Sequence, residues 1–437
     1  MKKKENLLII PIIGIMIFAV AIYCYDKLDE NGYSVGDIMG QIQNFTSNKT
    51  EVYDDDITIE NSTSSKYQKS GSVKITAGYR SLSNQSERLC YKYIIQKSEK
   101  ISDNVGNSGL YEIEPITVKN YVMDSYQIKK VLYAVQHDHP ELFWISSAFT
   151  YYTDQNSTTL KLSSTFSKND WQSAANELNK KVFNILSKIP SGYSDYEKEM
   201  FIHDYIIENC DYASRQAQDP KIYTSYGCLI QGQAVCEGYS KAMQLLMCAA
   251  GIECRTIQGS RGNETHMWNL VRLGSDWYHL DPTWDSKEQV GRYNYFNVSD
   301  EIIKKDHGMA VSASENPQDY FKNQSYNFAL PTCNSLKENY FEKNAVKIKN
   351  TDNLKDNTIV NKLSEIKANR KNVIYIKIAE NIGLEKAKKI LFTNNSNVFF
   401  NHIKNANKST KSGNPLNTSQ IEYTECKPQN VIAVKLF

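Results

Sequence analysis

The sequence predicts an α+β protein: a helix that begins at a cysteine and packs on an antiparallel sheet, preceded by an N-terminal transmembrane helix and followed by a small C-terminal α/β module. Three observations carry this. Two amphipathic helical stripes precede residue 210, a helical run begins at Cys236, and two alternating apolar runs flank Gly274-Ser275 as in a hairpin. The chain has 437 residues, enough for two or three ordinary domains. Its net charge of +2, with 23% charged and 41% hydrophobic residues, excludes a dedicated nucleic-acid binder and global disorder.

Lys2, Lys3 and Lys4 precede an uncharged run from Leu7 to Tyr25 of 19 residues, close to the roughly 20 that span a bilayer as a helix. Residues 1–26 therefore read as cytoplasmic lysines and a signal anchor, single-pass, with the bulk of the chain extracellular. The alternative is a secreted protein cleaved after Ala19-Val20-Ala21, a small-x-small triplet. Cys24 does not make a lipoprotein signal, because Tyr23 before it is too large. Residues 27–73 are rich in Ser, Thr, Asn and acidic side chains and read as a solvated, disordered stalk.

Residues 74–190 read as an accessory α/β region. Within it, 145–153 and 158–164 are strand candidates about a polar turn, and Trp171, Ala174, Leu178, Val182, Ile185 and Ile189 form one helical stripe. Residues 191–325 form the core that carries chemistry. Its first helix is announced by Ser194 and Glu197 at capping-box spacing, followed by Phe201, Ile202, Tyr205 and Ile206 on one face. Residues 340–437 change texture. This closing module holds 17 basic and 8 acidic residues, net +9, with strands in "NVIYIKI" and "NVIAVKLF" and a helix in "GLEKAKKIL".

Gly227 and Gly232 mark a loop before a helix running from Cys236 to Ala250, with Tyr239, Ala242, Met243 and Leu246 facing inward and Gly251 placed to end it. Cys236 thus lies in a first helical turn, where free N–H groups and the helix dipole favour a thiolate. Downstream, a two-residue loop at Gly274-Ser275 pairs Leu273 with Asp276 and sets Trp268 opposite Asp281. His266, two residues from Trp268, then shares a face with Asp281 as a diagonal neighbour. A carboxylate beside an imidazole fixes its tautomer and supports the imidazolium, as needed when His takes a proton from a thiol. His279 falls on the same face and is not excluded as the base by this geometry. His137, His139 and His307 read as satisfied surface or turn histidines.

The pieces "GQAVCEGYSKA", "HMWNLV" and "WYHLDPTWD", in this order, resemble the transglutaminase-like superfamily, a papain-like fold with a Cys-His-Asp triad. "DHPELFW" upstream and "YFNVSDEIIKKDH" downstream resemble its bacterial, surface-located branch. The resemblance implies Cys236 as nucleophile, His266 as base and Asp281 as orienter, and makes His279 structural. Gln231, five residues before the cysteine, is the side-chain candidate for an oxyanion donor beside the Cys236 N–H. Trp268, Trp284 and Tyr239 are expected to pack around the triad.

The expected function is an outward-facing cysteine acyltransferase acting on carboxamide or peptide carbonyls of proteins or peptides through a thioester. The alternatives are a cysteine peptidase or amidase with water as acceptor, and a non-catalytic surface module that binds through the same fold. No CxxC pair suggests zinc, no calcium loop is visible, and the chemistry calls for no cofactor. Expected partners are a protein or peptide substrate, the membrane through residues 7–25, no nucleic acid, and cell-wall polymer through the basic closing module. Of nine cysteines, seven besides Cys24 and Cys236 read as small buried hydrophobes, or as one or two disulfides with a remainder.

Overall fold

The computed structural model describes residues 76–437 except Asn107, 215–216, 262–263, Ser286, 310–329, 394–397 and Ser412. The expected anchor and the stalk lie outside these residues. Among the described residues, no helix is long and apolar enough to cross a membrane.

The first half is built on a five-stranded antiparallel sheet: β1 (Ile101–Val105), β2 (Tyr111–Ile113), β3 (Ile116–Lys119), β4 (Ile145–Thr153) and β5 (Ser157–Ser164). Long β5 pairs along one edge with β2 and β3 in turn, and along the other with β4. Helices α1 (Gln85–Lys97), α2 (Ser125–Asp138) and α3 (Trp171–Leu186) cover it. Asp124 and Gln127 form a capping box that starts α2. Of the stripe on α3, Ala174, Leu178, Val182 and Ile185 are buried and Trp171 partly so, and Ile189 is buried just beyond the end of the helix.

Helix α4 (Asp195–Asn209) opens with the Ser194–Glu197 capping box, both bonds present. A two-residue strand, β6 (Asp211–Tyr212), then runs parallel to β7 (Gln233–Ala234), and α5 (Cys236–Ala249) follows directly. Gly251, at φ +86°, ends α5 in the left-handed region that favours glycine. The second sheet holds β8 (Cys254–Arg261), β9 (Glu264–Leu273), β10 (Asp276–Leu280) and β11 (His307–Met309), in the order β10-β9-β8-β11. The β9–β10 hairpin has the register expected from its two-residue loop: Asp276 faces Leu273 and Leu280 faces Asn269.

A third sheet, ordered β12 (Val346–Ile348), β13 (Val373–Ile378), β15 (Val431–Leu436), β14 (Ile421–Cys426), forms the closing module. Its two faces have different partners. Ile374, Ile376, Ile432 and Val434 pack among the module's own helices, whereas Val373, Tyr375, Val431 and Ala433 join the core that also contains α5 and the first-half helices. Burial on both faces is why these strands read as continuous apolar runs. The first half likewise shares its core with α4 and α5.

Candidate active site

The local fold around Cys236 is set by short-range packing. Gly238, one turn into α5, lies so close to the Ile222 carbonyl that a Cβ there would sit 2.5 Å from it. Ser240 lies 2.8 Å from the Cys236 carbonyl and 2.9 Å from the carbonyl of Met267, on the strand beside His266. The first turn of α5 is therefore fastened to β9. Among the eight described cysteines, all free, Cys236 alone is not buried.

The β9–β10 ladder ends at Leu280 opposite Asn269, and Asp281 follows directly. His266 Nε2 lies 2.7 Å from Asp281 Oδ2, and Asp281 Oδ1 accepts the Thr283 N–H at 3.0 Å. With Nε2 committed to Asp281, Nδ1 is the ring nitrogen left for the Cys236 thiol, which stands beside the imidazole. Burial pushes His266 down, but the Asp281 charge and hydrogen bond, together with the Cys236 thiol, outweigh it and hold the imidazole at about 10. Burial alone would raise Asp281; His266 and His307 instead keep it well below the usual carboxylate range.

The other expected residues occupy distinct environments. Trp268 is fully buried and stacks on His266, with ring centroids 5.7 Å apart. Its indole N–H donates to His279 Nδ1 at 3.0 Å, and His279 Nε2 donates to Asp300 Oδ1 at 2.8 Å. Both nitrogens of His279 are thus engaged away from the thiol, and burial holds this imidazole below its ordinary value; it braces Trp268 and is not the base. Trp284 stands edge-on to His266 at 6.3 Å, 47% exposed, under the Arg261 guanidinium at 3.3 Å. Tyr239 donates its hydroxyl to the Cys210 carbonyl at 2.7 Å from within the core. Gln231 is exposed and its side-chain amide donates to Asp219 at 2.8 Å, a pairing away from the thiol.

Sequence reasoning missed two neighbours of the triad. The first is Tyr212. Its strand, β6, is level with Ala234, two residues before the cysteine, which brings the Tyr212 hydroxyl beside the Cys236 N–H and thiol; burial first, then the thiol, raise this phenol above its ordinary value. It is 56% exposed. The second is His307, which is not a surface or turn histidine but a buried one, 3.0 Å from Asp281 Oδ2. His137 is buried too, on α2, with Nδ1 3.0 Å from Asp138.

The donor atoms of His266, Asp281 and His307 lie within 4.8 Å of one another, as do those of His279, Asp300 and Cys333. In the first group each of these atoms is already bonded to another member, so the cluster is a line of shared protons.

Residues 185–282 match the family model described as the transglutaminase-like superfamily. A curated relative, the kyphoscoliosis peptidase of Mus musculus, is 24% identical over 230 residues, 46% of this chain and 33% of its own length. The chain thus spans a third of that relative. Among solved structures, a candidate cysteine protease of Cytophaga hutchinsonii aligns over 31% of this chain and 61% of its own, at 16% identity and a TM-score of 0.21. A structure described as a TGase aligns over 47% of this chain and 59% of its own, at 12% identity and a TM-score of 0.23. Residues 185–282 thus form a domain of the transglutaminase-like superfamily.

Proposed function

We propose that the chain is a cysteine acyl-transfer enzyme acting on carboxamide or peptide carbonyls of proteins or peptides. One observation carries the reading: the partly buried Cys236 at the start of α5 stands beside an imidazole whose Nε2 is held by a buried carboxylate. With the proton on His266, the Cys236 sulfur attacks the carbonyl carbon. The new C–S bond pushes the carbonyl electrons onto oxygen, where the Cys236 N–H and the Tyr212 hydroxyl receive them. Collapse breaks the C–N bond, and His266 gives its proton to the departing ammonia or amine. A second amine or water then attacks the thioester, returns a proton to His266 and releases the thiolate.

An amine acceptor makes the enzyme a transglutaminase, the reading favoured by the family; water makes it a peptidase or amidase, the reading favoured by the name of the mouse relative. The lysines and apolar run of residues 2–25 support placing this chemistry on the outer side of a membrane. The test is a Gln-containing peptide with and without a primary amine, following ammonia and new peptide ends, with Cys236→Ala as control. Cross-linked product identifies a transferase, and new ends identify a peptidase. Neither, with Cys236 reduced, overturns the enzyme reading in favour of a binding module.

A further inference from the structure

The line of buried polar groups does not stop at Asp281. Its Oδ2 accepts twice, from His266 Nε2 at 2.7 Å and from His307 Nε2 at 3.0 Å. The far nitrogen of His307, Nδ1, lies 2.7 Å from Asp306 Oδ1. An ionised carboxylate offers no hydrogen, so both ring nitrogens of His307 must donate, and the ring is an imidazolium. Burial opposes that charge, but the hydrogen bonds to Asp281 and Asp306 outweigh it and raise this histidine above its ordinary value.

The surroundings agree. Asp306 Oδ2 is itself fixed by the Tyr295 hydroxyl at 2.5 Å and by Arg261 at 3.1 Å. Facing His307 are therefore two carboxylates, the Arg261 cation behind one of them, the Tyr295 phenol, the His266 ring at 5.4 Å and neutral His279 from β10. Position comes from β11, where His307 pairs with Arg261 of β8. His307 lies beyond the stretch matched by the family model.

We propose that His307 is a positioning residue of this site: a standing imidazolium that shares Asp281 Oδ2 with His266, holds that carboxylate in place and limits how tightly it retains the His266 proton. The inference rests on the acyl-transfer reading of Cys236. A base that never gives up its proton is a poor acid for the leaving amine. A second positive charge on the same carboxylate oxygen weakens the pull of Asp281 on His266, which eases that release.

The experiment follows carbamidomethylation of Cys236 by iodoacetamide against pH, read on the Cys236 peptide by mass spectrometry, in the full chain and in His307→Gln and Asp306→Asn. Two rate steps are expected in the unaltered chain, a lower one where the thiolate–imidazolium couple forms and an upper one where His266 releases its proton. In His307→Gln the upper step moves up by about one pH unit. In Asp306→Asn, which keeps the Nε2 donor but removes what keeps His307 charged, it moves the same way by less. Nitrogen-15 histidine spectra at pH 8 should show both nitrogens of His307 protonated.

An unmoved upper step in both variants, or a singly protonated His307, overturns the inference alone. A single ordinary thiol titration in the unaltered chain overturns the acyl-transfer reading and this inference with it. Slower alkylation with unmoved steps marks a merely structural role and also overturns it. If melting shows that His307→Gln does not fold, Asp306→Asn decides.

Discussion

Ser240 sits 2.9 Å from the carbonyl of Met267 while lying 2.8 Å from the carbonyl of Cys236, so one hydroxyl spans the first turn of α5 and the residue next to His266. Asn269 adds a bond from its amide to the Ser240 carbonyl at 2.9 Å. These contacts tie the nucleophile's helix to the base's strand. Ser240→Ala should cost about 1–3 kcal/mol, the range for a lost buried hydrogen bond. It should also slow alkylation of Cys236 at neutral pH several-fold by loosening the couple. Thermal melts and alkylation rates check both, and a destabilised variant with full alkylation would mean that the hydroxyl holds the fold alone.

Asp281→Asn keeps the shape of the orienter and removes its charge. His266 then loses the group that holds it at about 10, and burial pulls it downward. His307, still facing Asp306, loses its second carboxylate. Turnover should fall on the order of a thousandfold or more, and the alkylation rate of Cys236 should fall with it. Retention of most of the reactivity would show that Asp281 does not support the imidazolium.

Tyr212→Phe removes a side-chain hydroxyl that stands beside the Cys236 N–H and sulfur. Because the ring is half exposed, the fold should be unaffected. If the hydroxyl stabilises developing negative charge, kcat falls about a hundredfold with little change in KM. A rise in rate would instead mean that Tyr212 shields the thiol in the resting protein. Gln231→Ala provides the contrast, and its bond to Asp219 predicts a near-silent effect on kcat.

What was legible in the sequence depended on periodicity and short spacing. The hairpin register at Gly274-Ser275, the start of α5 at Cys236 and the Ser194–Glu197 capping box are all local, and the structure carries them as spaced. Spacing alone leaves the role of His279 open, since it shares a face with His266; its bonds to Trp268 and Asp300 make it a brace. Tyr212 was invisible because its position rests on a two-residue parallel pairing between segments some twenty residues apart. His307 was invisible for the same reason at greater range, reaching the site only when β11 adds to the edge of β8. The closing module reads as a separate basic unit in composition, yet alternate residues of β13 and β15 pack into the main core. Charge counts say nothing about that.

Gly259 pairs with His266 across β8 and β9, and a Cβ there would sit 2.2 Å from the Gly308 carbonyl and 2.6 Å from the Trp268 ring. Only a residue without a side chain lets β11 and the indole close on β8 together. Gly259→Ala must therefore displace either the strand that brings His307 or the ring that stacks on His266. The expected cost is about 1–3 kcal/mol of overpacking, with a loss of Cys236 reactivity larger than any equally destabilising change on the outer face of α3. Melting and alkylation compared across the two variants test this, and equal reactivity at equal stability would count against it.

Glu199 predicts how stability responds to pH. It is fully buried on α4, its Oε2 accepts from Asn297 at 2.7 Å, and Oε1 has no hydrogen-bond partner among the described residues. Burial pushes its carboxyl up to about 8, with Asn297 and His203 pulling only part of the way back. Since the folded form holds this proton and the unfolded form releases it near 4.5, the protonated fold is favoured fully below that value. The advantage drains away as pH rises towards 8. His203, held between Asp204 and Asp285 at 3.1 and 2.9 Å and raised to about 9, has the same sign, with stability present below the ordinary histidine range and lost as pH climbs through 9. The protein should therefore melt at progressively lower temperature from pH 5 to pH 9. Glu199→Gln removes the first titration while keeping an oxygen for Asn297, so the slope between pH 5 and 8 should flatten, by up to about 4 kcal/mol over that span. The slope above pH 8, set by His203, should remain. Parallel melting curves for Glu199→Gln and the unaltered chain from pH 5 to 8 would show that Glu199 is ionised in the folded protein and compensated by the neighbouring imidazolium.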